Sequence, residues 1–431
     1  MNLLSLVQRL RTLHFDDHPG LDLKLRCMLL DTWACVVAGS QAPPVAALAA
    51  RVPSAQPGRV WSGAASSAQS TALCLAMASC WDEACEGHAA AHGRPGVAAL
   101  AALLPLARDL TWDEFRRALL VGYEVGARMG AALRIRPGMH VDGNWPALGA
   151  AAAAAMAMGL DDAQVVAAIE VAACQLPLSL YRPVQTGDTA RNTYLGHAAV
   201  LGQLAALSVA SGITAPADAV QSYARVALGL EAVPWDGSEA LYVMGAYFKP
   251  YAAVRHVHYG AWAASLLRAE WQDAFQARLP AKIELHIYEE ATIYCGNRQP
   301  ATPLQAQFSL SFGLAAMLRW GHLDPWVYRE PQFHDARLRE LEARVQVSVQ
   351  PAWTAAGQRG ARLVLAWPEG GEISREVTAV AGDPAMPLPE AELQRKFLAY
   401  CASGGQAELA PQWWARVWDL APDSPMSSIG F

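Results

Sequence analysis

The sequence predicts a mainly α protein with a smaller α+β domain. Three observations carry the prediction. Residues 1–248 read as helix after helix, with apolar side chains recurring at i, i+3 and i+4. Across 249–383 the texture changes to alternating, strand-like runs around one long helical stretch. From 384 to 431 the helical pattern returns, and this terminal segment is expected to rejoin the first domain. A chain of 431 residues is long for one hydrophobic core, which agrees with more than one domain.

The helical periodicity falls in 3–14, 22–39, 43–51, 67–85, 97–108, 112–134, 146–159, 161–176 and 193–211. Thr111-x-x-Glu114 has capping-box spacing, Pro146 suits a first helical turn, and Asp161 and Asp162 suit the positive end of a helix dipole. Gly159 and Gly212 mark stops. The small-residue runs "GYEVGARMGAAL" and "LGAAAAAAMAMG" indicate closely packed helices. They are not cofactor-binding loops, because no strand precedes them. Beyond residue 249, "AKIELHIYEE" (281–290) and "RVQVSVQPAW" (344–353) alternate as strands do. The stretch "ARLVLAWPEGGEISREVTAV" (361–380) reads as a hairpin turning at Pro368-Glu369-Gly370-Gly371. One long helix is expected over 303–321, and the tail returns to helix at 388–405 and 411–421.

With 53% apolar and 17% charged residues the chain can bury a large core. A net charge of −6 and the lack of a basic patch argue against a nucleic-acid partner. The alanine-rich run at 146–160 is too short to span a bilayer, so no membrane association is expected. The N-terminus "MNLLSLVQRLRTLHF" lacks the parts of a signal peptide and reads as an amphipathic helix, which makes the cytoplasm the default location. Eight cysteines form no C-x-x-C pair and read as buried free thiols.

The densest chemistry lies in "CWDEACEGHAAAHGRPG", residues 80–96, which collects Asp82, Glu83, Cys85, Glu86, His88 and His92. His88 and His92 at i, i+4 would share a helix face and could ligate a metal. The residues between them are alanines, without the glutamate of H-E-x-x-H, and Gly93 and Pro95 end any helix there. A solvated helix end and an acid–base site are the other readings, and the acid–base reading gains from three further polar islands. "RIRPGMHVDGNWPALG" places His140 and Asp142 before a helix start, a natural site for carboxylate or phosphate groups. "PVQTGDTARNTYLGHAA" places Asp188, Arg191 and Asn192 before another. "YFKPYAAVRHVHYGAWAA" places Lys249, Arg255, His256 and His258 where the texture changes. Converged, these islands would suit an anionic small molecule.

The order and spacing of the islands resemble the MmgE/PrpD family, which includes 2-methylcitrate dehydratase, cis-aconitate decarboxylase and iminodisuccinate epimerase. The likeness runs over nearly the whole chain. Its most specific pieces are "GYEVGARMG", "LGHAAVLGQLAALSVASGITAP", "YFKPYAAVRHVHYGAWAA" and "PATPLQAQFSLSFGLAAMLRWG". The resemblance implies a metal-free, cofactor-free homodimer with an all-helical large domain, an α+β lid and an active site in the cleft between them. Carried over residue by residue, the family's Asp-Asp pair looks like Asp82-Glu83, its later histidine like His92, and its second-loop histidine like His140. A family lysine falls on Arg191, a departure, and the lid-junction lysine and histidine fall on Lys249 and His258. Glu86 and Asn192 complete the substrate-binding set.

The family reactions move a proton at a carbon next to a carboxylate, building charge on carboxylate oxygens that nearby cations stabilise. His92 and His140 are therefore expected to be the acid–base pair, with Asp82 orienting one of them and His258 contributing from the lid. Arg191, Lys249, Glu86 and Asn192 are expected to hold a di- or tricarboxylate. Dehydration or decarboxylation is the leading reaction class. Epimerisation of an iminodisuccinate-like dicarboxylate and silent carboxylate binding are the alternatives.

Overall fold

A computed structural model of the protein describes residues 2–54, 60–61, 66–270, 279–368 and 370–431. Helix accounts for 58% and strand for 9%, with one small mixed sheet beside a mostly helical body, as the sequence pattern requires. At the centre of that body lies Pro146–Ala157, packed against Pro95–Leu103, Trp112–Ala132 and Tyr194–Ala210. Its residues Ala150 to Ala155 are fully buried. Small side chains make the packing possible: a Cβ on Gly149 would lie 2.6 Å from the Gly122 carbonyl oxygen, so larger residues would force the two helices apart. The expected caps are present. Thr111 Oγ1 accepts the Glu114 amide, and the Glu114 carboxylate accepts the Thr111 amide in return.

The C-terminal helices belong to this helical body. Glu390–Ser403 packs on Leu21–Gly39, and Lys396 pairs with Asp31 at 2.5 Å in the interior between them. Trp33 stacks on Phe431 with ring centroids 4.1 Å apart and meets Trp413 edge-on.

The four-stranded sheet consists of β3 (Lys282–Ile287), β4 (Val345–Val349), β5 (Ala361–Ala366) and β6 (Glu372–Val377), in the order β4-β3-β5-β6. β3 and β4 are parallel, so several helices fill the crossover between them, whereas β5 and β6 form an antiparallel hairpin. Of the expected hairpin turn, Glu369 lies outside the described residues. Ile283, Leu285, Ile287, Leu363 and Leu365 are buried, and Arg255–Glu270 and Leu310–Trp320 pack together over the sheet. A separate two-stranded ribbon joins β1 (Gly87–His88) to β2 (Ala246–Tyr247), pairing His88 with Ala246. This ribbon ties the acidic stretch at 80–96 to the entrance of the α+β region.

Several elements differ from the sequence pattern. The helix expected over 67–85 runs only from Ala68 to Trp81, because Asp82 caps it and the chain turns into β1. His88 and His92 therefore share no helix face. The single helix expected over 303–321 is two, Pro303–Gln307 and Leu310–Trp320; Ser309 breaks it by accepting the Phe312 amide with its own side chain. The strand expected to reach 353 stops at Val349, since Pro351 has no N–H for the ladder and opens a short helix. Beyond Ala210 the helical pattern thins to short turns up to Gly245. One described stretch, Thr189–Ala210, is long and apolar enough by composition to cross a membrane; half of it is buried, and its helix Tyr194–Ala210 packs on Ala68–Trp81 and Pro146–Ala157.

Candidate active site

The 80–96 stretch wraps around a cavity of about 360 Å³, a size suited to a small metabolite. Its path is strained. Glu83 and His92, at φ of 52° and 54°, are the two non-glycine residues with positive φ among the described residues, and both line this cavity. Such backbone costs roughly 1–3 kcal/mol per residue and persists where surrounding contacts over-determine it. At Glu83 the contacts are plain: Lys249 Nζ donates to its carbonyl at 2.9 Å, and Lys396 Nζ donates to the next carbonyl, of Ala84, at 2.7 Å.

A buried ionic cluster forms one wall. The Glu83 carboxylate accepts from Lys249 Nζ at 2.6 Å, from Arg94 at 3.2 Å and from Arg191. Asp142 pairs with Arg94 and lies 3.6 Å from Arg191. Burial alone would raise the Glu83 pKa, yet Arg191, Arg94 and Lys249 outweigh it and hold the group well below 4.5. Asp142 is lowered in the same way, burial being outweighed by Arg94, His140 and Arg191. Both carboxylates are ionised at neutral pH. Around the whole cavity, Arg94, Arg134, Arg191, Lys249, Arg255 and Arg359 face Glu83, Asp142 and Glu290. Asp383 neutralises Arg255 from behind, which leaves a surplus of positive charge. Arg134, exposed at the mouth, has no carboxylate partner among the described residues. The cavity is built to attract an anion.

Four imidazoles line the same space: His88, His92, His140 and His256. Burial lowers His140 to about 4; Asp142 opposes the shift, and Arg191 and Arg94 add to it. His140 Nδ1 accepts the Asp142 amide at 3.1 Å. Arg191 Nε donates toward Nε2 at 3.5 Å, so both ring nitrogens face N–H donors, which disfavours an imidazolium. Tyr181 stacks on the ring at 5.7 Å and fixes its plane. His92 differs: its ring is exposed at the mouth and makes no hydrogen bond within the described residues. Its pKa is lowered by partial desolvation and then by Arg134 and Arg359. These rings are neutral at pH 7, so a ring nitrogen that holds a free lone pair can accept a proton.

The structure thus brings His92, His140, Arg191 and Lys249 together. It places the other four expected residues elsewhere. Asp82 is turned away from the cavity and buried against Arg329 at 2.9 Å. Burial, opposed by Arg329, raises its pKa. Its neighbour Glu83 takes the inward position because the left-handed turn reverses the chain there. Glu86 is fully buried behind the wall, accepting the Gly96 amide at 2.8 Å. Desolvation raises it to about 8, so it is a neutral acid at pH 7. Asn192 is a neighbour of the site: its Oδ1 accepts from Arg191 at 3.2 Å and steadies that guanidinium. His258 lies inside the protein, with Nε2 3.0 Å from the Ala253 carbonyl and Nδ1 3.1 Å from Arg255. On a helix, positions 256 and 258 point about 200° apart, so only one can face the cavity, and it is His256.

Two family models match the chain: the MmgE/PrpD N-terminal domain over residues 6–229 and the MmgE/PrpD C-terminal domain over residues 251–420. The chain belongs to the MmgE/PrpD family. No curated protein matches it. Membership supports a dehydratase- or lyase-type or related function, since MmgE/PrpD members are typically enzymes. Within this MmgE/PrpD chain, sequence reasoning missed Arg94, Tyr181, Glu290, Tyr294 and Arg359, all on the cavity wall. Arg94 stood in "HGRPG" beside the helix stop, and a lone cation at the end of an acidic stretch was its signal. The others come from separate segments and carried none.

Proposed function

We propose that the protein is a metal-independent lyase, of dehydratase or decarboxylase type, acting on a small di- or tricarboxylate. The observation that carries the reading is a cation-rich cavity holding an unbonded imidazole, His92, together with the fixed neutral imidazole of His140. Substrate carboxylates would be attracted by Arg191, Lys249 and Arg134. A neutral imidazole then takes the proton from the carbon next to a carboxylate, and the electron pair moves onto carboxylate oxygens facing those cations. Bound anionic charge raises the imidazole pKa, which makes the ring a better base in the complex than in the free protein. No resident cofactor is required: the wall carboxylates Glu83 and Asp142 are already engaged by Arg94, Arg191 and Lys249.

A second reading, epimerisation of an iminodisuccinate-like dicarboxylate, is favoured by Arg191. A guanidinium stays protonated and clamps a carboxylate, whereas a lysine there could exchange protons. Proton traffic then falls to the histidines alone, the economy of a one-carbon epimerisation. We also propose a cytoplasmic homodimer; light scattering should give about 92 kDa, twice the 46.2 kDa chain.

The test is product analysis with purified, chelator-dialysed protein on methylcitrate, citrate, cis-aconitate and iminodisuccinate. An unsaturated or decarboxylated product supports the lyase, and inverted configuration without net loss supports the epimerase. A silent carboxylate binder would bind a member of the panel and turn over none.

A further inference from the structure

We propose that His256 is a catalytic acid–base residue of this site, contributed by the α+β wall, and that Tyr288 controls which of its ring nitrogens carries the proton. The inference rests on the proton-transfer reading above and adds a second wall to it.

His256 sits in the first turn of Arg255–Glu270 with its ring on the cavity. Nδ1 lies 2.6 Å from the Tyr288 hydroxyl, and Nε2 has no hydrogen-bond partner among the described residues. The ring cannot easily turn. Tyr294 stacks on it at 5.8 Å with a 13° interplanar angle, and Tyr288 packs against it at 5.6 Å. Tyr294 then meets Tyr181 edge-on at 5.5 Å, and Tyr181 stacks on His140. One run of aromatic contacts therefore links two cavity imidazoles, one from the helical part of the chain and one from the start of the α+β part. His258, by contrast, has both nitrogens engaged.

The charges around His256 keep it neutral at rest. Burial lowers it to about 4, Arg359, His92 and Lys249 act in the same direction, and Glu290 opposes them. Tyr288 stays protonated, because burial raises its hydroxyl well above 10. A neutral imidazole bonded to a neutral phenol has two forms. With Nδ1–H donating to Tyr288, Nε2 offers a lone pair to the cavity; with the phenol donating to Nδ1, Nε2 offers a proton.

In the base form, Nε2 takes the proton from the carbon next to a substrate carboxylate. The C–H electron pair passes into the carboxylate as an enediolate, and the ring becomes an imidazolium with Nδ1–H still on Tyr288. The ring returns to neutrality when that proton goes back to carbon or joins a departing hydroxide as water.

Kinetics of His256→Gln and Tyr288→Phe on the panel member that wild type turns over decide the matter. His256→Gln is expected to lower kcat at least 100-fold with KM within threefold. Tyr288→Phe is expected to lower kcat about tenfold and to move the acid limb of the kcat/KM profile, which a purely structural role would not do. A His256→Gln enzyme with kcat within threefold of wild type overturns the proposal and leaves the functional reading standing. Wild type that neither turns over nor exchanges any panel member overturns both. Should His256→Gln fail to fold, Tyr288→Phe decides: an unchanged kcat and pH profile refutes the dyad.

Discussion

Glu83→Gln is the most informative perturbation of the ionic wall. In the native protein, Arg94, Arg191 and Lys249 share two carboxylates, Glu83 and Asp142, and all five side chains are at most 5% exposed. Neutralising Glu83 leaves three buried cations facing one anion. Removing one partner of a buried pair costs about 3–5 kcal/mol, and glutamine keeps an acceptor oxygen, so about 3 kcal/mol is expected. Unfolding entropy near 2.1 cal/mol/K per residue gives about 0.9 kcal/mol/K for 431 residues, so the melting temperature should fall by about 3 °C at pH 7. The pH dependence has a definite sign. The Glu83 pKa is held well below 4.5 in the folded state, so its contribution is present in full above that value and is lost as pH falls toward the folded pKa. The gap between wild type and Glu83→Gln should therefore narrow in acid. Calorimetry of both proteins from pH 7 down to about pH 3 measures it. A variant as stable as wild type at pH 7, or a gap that widens in acid, refutes the cluster's energetic role.

His92→Gly should separate stability from activity. Relief of the left-handed backbone gains about 1–2 kcal/mol, glycine's larger unfolded-state entropy returns about 0.5–1, and the side chain makes no hydrogen bond to lose. Thermal unfolding should be unchanged or slightly higher while kcat drops at least 100-fold. Glu86→Gln should be near neutral at about pH 4.5 and increasingly stabilising, relative to wild type, as pH rises from there to 8. The native carboxyl is raised to about 8, so wild type loses stability as pH rises from 4.5 through 8, and the variant does not; melting temperatures across pH 4–9 would show it. Arg191→Lys should weaken binding of inert propane-1,2,3-tricarboxylate about tenfold by calorimetry, because an ammonium cannot span Glu83, Asn192 and a ligand carboxylate together.

The helical body was legible because local signals and packing agree in it. The capping box at Thr111 and Glu114 and the small-residue stripes at Gly122 and Gly149 each have a local cause. The broken helix at Ser309 was hidden, since its apolar period runs straight through the break. At the site, the islands read from the sequence do meet at one cavity, while which of their side chains face it was not legible. Asp82 and Glu83 are chemically alike, and only a left-handed turn decides which faces inward. His256 and His258 differ by helix phase alone. Glu86 is a carboxylate in the sequence and a buried neutral acid in the fold. Arg359 and Glu290 meet at 3.1 Å from segments far apart in the chain, which no spacing reveals.

The central claim is that this cavity binds a polycarboxylate and moves a proton at the carbon beside a carboxylate. Proton NMR in deuterated water, comparing wild type with His92→Gln and His140→Gln on the four-member panel, addresses it most directly. The account predicts that wild type converts one member or washes out its proton at that carbon, and that each variant slows this at least 100-fold. Equal rates in wild type and both variants, or no conversion and no exchange by wild type, would contradict it.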